Sequence, residues 1–252
     1  MKSGRDIDVA LVTGAGRGLG AEISVALAET GAEIILVSRT RVELEQVAMR
    51  IEERGGRARV VVCDVTDGAS VRAEIERLER LDVLVNNAGI IFLNPLVEVP
   101  EDILDKQLAL NIRATYLVAQ AAVRKMLEAP DRKQRGGVVI NMSSQLGHVG
   151  LAGRTVYCMT KHAIEGLTKA MAVELGPYNI RVNSIAPTFV ETPMTVPRLA
   201  DPAFREWVTA HIPLGRLGRI EEITGSIVFL TSPAATLMTG TSLVVDGGWT
   251  AQ

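Results

Sequence analysis

Tyr157 and Lys161 stand four residues apart in a stretch of helical character over 157–175, so their side chains share one face. The pairing suits proton transfer. A free phenol titrates at about 10, and a neighbouring ammonium stabilises the phenolate and lowers that value. Ser144 lies thirteen residues before the tyrosine, just after the apolar run 138–140. Its hydroxyl is placed to hydrogen-bond an oxygen on which charge develops. Reducing a ketone requires a hydride on carbon and a proton on oxygen, and the reverse reaction requires a base for the alcohol proton. A Ser, Tyr and Lys set can handle the proton. The hydride has to come from a cofactor, which leaves the protein to position and polarise.

A place for such a cofactor is written near the start of the chain. Thr13-Gly14-Ala15-Gly16-Arg17-Gly18-Leu19-Gly20 separates the apolar run 9–13 from a helical stretch over 22–29. Glycines allow a tight turn and close approach of backbone to a pyrophosphate, and the helix start beyond supplies free N–H groups and a positive dipole end. The alternative reading is a tight turn without a ligand.

The elements that must hold these groups follow from hydropathy. Short apolar runs at 9–13, 34–37, 60–63, 83–85, 138–140, 180–185 and 242–245 read as strands. They are apolar throughout, as expected of strands covered on both faces. Helical stretches fall between them at 22–29, 42–54, 67–80, 101–128, 157–175 and 220–230, with Gly55-Gly56 stopping the second. Within 101–128, Leu104, Leu108, Ile112 and Tyr116 form a stripe. The rhythm predicts an α/β fold: one domain over 1–252, a doubly wound (Rossmann-type) parallel seven-stranded sheet with helices on both faces. Residues 1–145 form the cofactor half and 146–252 the catalytic half. Pro193, Pro197 and Pro202 punctuate an irregular segment, and 188–211 reads as a substrate lid.

The order and spacing of these motifs resemble the short-chain dehydrogenase/reductase family over essentially the whole chain. Gly14, Gly18 and Gly20 hold its three glycine positions, with Leu19 between them, and Asn86-Asn87-Ala88-Gly89 matches its Asn-Asn-Ala-Gly motif. The resemblance implies that Asn87, Ala88 and Gly89 lie beside the cofactor, and that Asp64, followed by Val65, contacts its adenine. A turn or capping role is the other reading of Asp64. Asn111, Ser144, Tyr157 and Lys161 match the catalytic tetrad, in which Asn111 would hold a water that relays protons towards Lys161. Pro187, Val190 and Thr192 match the segment that touches the nicotinamide end. Thr188 stands where the family usually has Gly, which questions the local backbone freedom.

The choice of nicotinamide cofactor turns on the second strand. Its end, Ser38-Arg39, lacks the acid that usually binds the ribose 2′-OH. Arg39 and Arg17 could instead clamp a 2′-phosphate, so NADP(H) is expected ahead of NAD(H). The alternative is two solvated arginines. Substrate contacts are expected from Ser144, Gln145, His148, Arg154, Tyr157, Glu191, Met194 and Trp207, with His148 equally readable as a loop residue and His162 facing away. The C-terminal Val245-Asp246-Gly247-Gly248-Trp249 is similar to gluconate 5-dehydrogenase-like members acting on sugar acids and polyols. A 3-oxoacyl-[acyl-carrier-protein] reductase shares every motif. Val173 stands where that group commonly has Arg, and docking an acidic carrier calls for basic residues around the cleft. A non-catalytic NADP(H)-binding member is a third reading, which loss of Tyr157 or Lys161 would have favoured.

Composition narrows the partners. Lys plus Arg number 27 against 29 Asp plus Glu, a net −2 without the basic excess of a nucleic-acid binder. The chain has no apolar run long enough for a membrane helix, and 1–8 lacks the apolar stretch of a signal peptide. Cytoplasmic location is expected, with Cys63 and Cys158 reduced. The three His and two Cys show no metal-ligand spacing. Arg132, Lys133 and Arg135 read as a solvated loop. The family resemblance implies a homotetramer, or a dimer, with interfaces on 101–128, the Tyr157 helix and the C-terminal strand.

Overall fold

Seven strands alternate with helices in the computed structural model, which describes residues 9–252. The reading of 1–8 as lacking a leader lies outside these residues. The strands are β1 Val9–Thr13, β2 Glu33–Ser38, β3 Arg57–Val62, β4 Val83–Asn86, β5 Gly137–Met142, β6 Ile180–Pro187 and β7 Ser242–Val245. All pairings are parallel, in the order β3-β2-β1-β4-β5-β6-β7. Alternate residues of each strand feed two cores. Ala10, Val12, Ile34, Leu36, Val85 and Ile140 pack under helices α1 (Gly18–Glu29), α2 (Arg41–Glu52) and α10 (Ile220–Thr231). Leu11, Ile35, Val37, Leu84, Val139 and Val182 pack under α3 (Gly68–Glu76), α5 (Thr115–Leu127) and α7 (Thr155–Leu175). Burial on both sides explains the unbroken apolar runs of the central strands. The edge strand β3 departs from that expectation: Arg57 and Arg59 turn to solvent and only Val61 is fully buried.

Four other expectations are corrected. Helix α1 starts at Gly18, not at 22, so its open N-terminus belongs to the glycine turn itself. The helix expected over 101–128 is helical throughout, but α4 (Glu101–Leu108) and α5 are joined by a π-helical segment, Ala109–Ala114. Such a segment changes the phase of the helix. The face that packs inward is therefore Asn111, Ala114, Thr115, Val118 and Ala122, while the stripe Leu104, Leu108, Ile112 and Tyr116 stays half-buried or exposed.

The basic loop is the third correction. Arg132 opens a short helix, α6 (Arg132–Arg135), and its side chain is 4 % exposed. Its guanidinium donates to the carbonyls of Met126 (2.7 Å), Leu81 (2.8 Å) and Gly136 and lies 3.4 Å from Asp82. One side chain thus ties α5 to the start of β4 and β5. Arg132→Ala would strand those acceptors in a dry place. We expect a loss of about 3–5 kcal/mol, read from the urea midpoint, with little change in KM for cofactor.

The fourth concerns the lid. It is not irregular: it holds α8 (Val196–Leu199) and α9 (Pro202–Ala210), capped by Asp201. Leu199, Val208, Ile212 and Trp249 give it a small core of its own.

Candidate active site

The strand order reverses between β1 and β4, and the glycine turn opens at that point. Gly14 (φ +64°) and Gly18 (φ +56°) take left-handed backbone. A Cβ on Gly20 would come within 2.1 Å of the Gly14 carbonyl oxygen, so only glycine lets α1 start this close to β1. Arg17 caps α1 without a side-chain hydrogen bond, which leaves the first N–H groups of the helix free for an anion. The Asn-Asn-Ala-Gly motif braces this turn. Thr13 Oγ1 accepts from the N–H of Asn87 (3.0 Å) and of Ala88 (3.1 Å), and Asn87 Nδ2 donates to the Thr13 carbonyl at 2.9 Å. Thr13 is a bracing residue that sequence reasoning missed, although its place before Gly14 was visible.

At the adenosine end, Ser38 Oγ lies 3.1 Å from where a Gly16 Cβ would stand, so the end of β2 touches the turn. Arg17 and Arg39 flank this spot and are exposed. Their partners are distant: Glu43 at 3.8 Å and Asp64 at 3.9 Å. Exposed pairs of this length hold little energy and exchange easily for a phosphate. Asp64 also accepts from the N–H (2.9 Å) and the hydroxyl (2.8 Å) of Thr66, so the turn role is filled by one carboxylate oxygen while the other faces Arg39. Val65 beside it is buried.

The reacting groups gather at the ends of β4, β5 and β6. Ser144 follows β5, accepts from the N–H of Leu146 (3.1 Å) and hydrogen-bonds Tyr157. Lys161, one turn along α7, is buried and donates to the Met142 carbonyl at 2.6 Å. Its ammonium lies 5.5 Å from the centre of the Tyr157 ring. Asn111, in the π-helical segment, spends its amide on the adjoining loop: Oδ1 accepts from the Ile90 N–H (2.9 Å), and Nδ2 donates to the Ile90 carbonyl (2.8 Å) and to Thr160 (3.2 Å). This amide braces the loop after β4 against α7.

Electrostatics modify the expected proton chemistry. Burial pushes the Tyr157 phenol up to about 12, against the lowering effect of the Ser144 hydrogen bond. Burial also pushes Lys161 down to about 8, with the Glu165 carboxylate opposing. In the chain without cofactor, burial is the largest influence on both groups. A neutral phenol suits donation to a carbonyl. Ionising it for alcohol oxidation requires further positive charge in the pocket. Since the Lys161 value is depressed, its charge is present below about 8 and lost as pH rises through it. The kcat/KM for cofactor, which reports free-enzyme groups, should fall above about pH 8. A profile flat up to the ordinary lysine range would contradict this.

Around the reacting groups, Ser143 Oγ, Thr188 Oγ1 and both amide atoms of Gln145 are buried without a hydrogen-bond partner. These atoms lie next in sequence to Ser144 and Pro187 at the ends of β5 and β6. Thr188 adopts no positive φ and donates its N–H to Val245 at 3.1 Å, so the missing glycine is tolerated. Pro187 ends β6, Val190 is buried and pairs with Gly218, and Thr192 is held by Thr195 at 3.2 Å. The Thr192–Pro193 pair faces Gly18 across the cleft.

The other expected substrate contacts divide. Arg154 caps the start of α7 and is buried. Met194 is exposed on the lid, and Trp207 is stacked among Phe204, His211 and Trp249. His148 turns to Ser242 (2.9 Å) and Glu165 (3.5 Å), filling the loop role, and Glu191 pairs with Arg205. His162 bonds the carbonyl of its own helix. The aromatic group Phe189, Phe204 and Trp249 was missed, because it assembles only when the C-terminus packs on the lid. Both cysteines are free, and no His, Cys, Asp and Glu cluster among the described residues could hold a metal.

Open α/β sheets bind dinucleotides in a crevice of this kind. With a serine, tyrosine and lysine at its far end, the class is a dinucleotide-dependent oxidoreductase of alcohols and carbonyls. Comparison with known proteins agrees. Residues 14–250 match the family model described as enoyl-(acyl carrier protein) reductase. The chain is 40% identical to L-xylulose reductase of Bos taurus over 96% of both chains, and 37% identical to gluconate 5-dehydrogenase of Gluconobacter oxydans over 96% of this chain and 94% of that one. A crystal structure of a gluconate 5-dehydrogenase from Burkholderia cenocepacia, in complex with NADP and tartrate, superposes with a TM-score of 0.92 at 35% identity, covering 99% of this chain and 96% of that one. The chain belongs to the short-chain dehydrogenase/reductase family and is an oxidoreductase acting on CH–OH groups.

Proposed function

We propose that the protein interconverts a small polyhydroxylated ketone and its secondary alcohol with NADP(H), working on a keto-sugar, sugar acid or polyol. The observation that carries this is the Ser144–Tyr157–Lys161 group beyond the glycine turn of a dinucleotide crevice. Sugar-type relatives support the substrate class. Arg17 and Arg39 support NADP(H), as does the NADP bound in the Burkholderia structure.

The cofactor fits the residues present. The pyrophosphate would lie on the N-terminus of α1, the 2′-phosphate between Arg17 and Arg39, and the nicotinamide end near Pro187, Val190 and Thr192. When bound it supplies or accepts the hydride, and its oxidised ring adds positive charge. This chain's own residues do the rest. Ser144 holds the substrate oxygen, and Tyr157 donates its proton there or takes one back. Lys161, fixed by the Met142 carbonyl, favours the phenolate when it forms.

The tetramer and the cytoplasmic location extend the same reading. Tyr116, Met159 and Val173 are exposed on the expected interface helices. No helix among the described residues is long and apolar enough to cross a membrane.

The test is loss of NADPH absorbance with 5-ketogluconate, L-xylulose, a diketone and an acetoacetyl thioester. Turnover of a sugar-type ketone supports the reading. Preference for the thioester would move it to the acyl-carrier reductases, and cofactor binding with no turnover on any carbonyl to a non-catalytic role.

A further inference from the structure

Two arginines meet at one ring, Phe204, without a counter-ion. Arg154 stands at the N-cap of α7, three residues before Tyr157. It is only 9 % exposed, and its one hydrogen bond is to the Ala152 carbonyl at 3.1 Å. Arg198 comes from α8 in the lid. The two guanidinium carbons lie 5.8 and 4.5 Å from the centre of the same ring, Phe204. Among the described residues neither has a carboxylate within ion-pair distance, whereas Arg205 nearby is paired with Glu191. The first turn of α7 carries no acid. The neighbouring lid surface is aromatic: Phe189, Trp207 and Trp249. Burial first, and the charge of Arg198 after it, lower the Arg154 guanidinium.

A buried guanidinium is normally matched by an anion. Planar guanidinium forks suit a carboxylate, which accepts two parallel hydrogen bonds from such a fork. One arginine belongs to the fixed body and the other to the lid, so an anion between them would also draw the lid down. From this we infer that Arg154 and Arg198 form a subsite for the carboxylate of the substrate, which makes the preferred substrate a keto-sugar acid rather than a neutral ketose. The inference rests on the proposed sugar-type activity, and it divides what the relatives leave joined, since their names include both a gluconate and a xylulose enzyme. Tartrate, a small hydroxylated dicarboxylate, accompanies NADP in the Burkholderia structure.

The test compares 5-ketogluconate with L-xylulose at saturating NADPH, together with calorimetric binding of gluconate and of neutral sorbitol to the protein–NADP complex. The expected result is a kcat/KM at least about 10-fold higher for the acid, with a KM for the acid that rises with salt. Arg154→Gln and Arg198→Gln should each lower kcat/KM for the acid by about 10- to 100-fold, mainly through KM, so that the acid-to-neutral ratio falls towards one. Arg198 is exposed on the lid, so its variant reads the charge even if the buried Arg154 variant folds poorly. Equal use of both ketones, or a ratio unchanged in the Arg198 variant, would overturn the subsite while leaving the sugar reductase standing. So would preference for a phosphorylated ketose. Gluconate binding that depends on both arginines, with no turnover of any ketone, would instead keep the subsite and overturn the proposed reaction. Binding of gluconate no tighter than sorbitol would overturn the subsite.

Discussion

Tyr157→Phe is expected to lower kcat by about 10³-fold in both directions, with NADPH binding changed by no more than a few-fold. The variant removes one oxygen and keeps the ring that lies beneath the Lys161 ammonium and against Ser144. Of the neighbouring protic groups, Lys161 is tied to the Met142 carbonyl, His148 is turned to Ser242, and Ser144 in the proposed reaction serves as the hydrogen-bond partner of the substrate oxygen. Water would have to donate in its place, without the positioning that makes the phenol effective. The check is steady-state turnover alongside cofactor titration by fluorescence. Activity within about 10-fold of the parent would show that another group carries the proton.

The second large effect concerns cofactor choice. Arg17→Ser combined with Arg39→Ser should reduce kcat/KM for NADPH by at least about 100-fold and leave NADH nearly unchanged, since each charge-assisted bond to phosphate contributes about 1.5–3 kcal/mol. Neither arginine has a close partner to lose, because Glu43 and Asp64 stand 3.8 and 3.9 Å away, so fold stability should hold. Both are exposed, and the KM for NADPH should therefore rise with ionic strength while that for NADH stays level. A parent enzyme that used NADH as well as NADPH would show that these side chains do not read the 2′-phosphate.

The amino-acid order by itself determined most of the frame. Strand positions, the parallel pairing and the two-sided core follow from apolar runs separated by helix-length stretches, a pattern readable locally because a doubly covered strand has no polar face. The glycine turn and the Tyr–x–x–x–Lys spacing were legible for the same reason, since each acts within one turn of chain. What only the tertiary structure decided are the environments. Arg132 reads as one of several surface cations, yet it is buried by carbonyls of Leu81 and Met126 that no local pattern connects to it. The stripe on 101–128 fails because a π-helical segment rotates the inward face towards small residues. The pKa directions of Tyr157 and Lys161 depend on how much water the folded chain excludes, burial being the first cause for each. Arg154, Arg198 and Phe204 come from separate segments, and they meet only after the lid has folded on the C-terminal Trp249. Residue type and spacing specify which chemistry is available, whereas burial and long-range contact set the charge state and the guest that it selects.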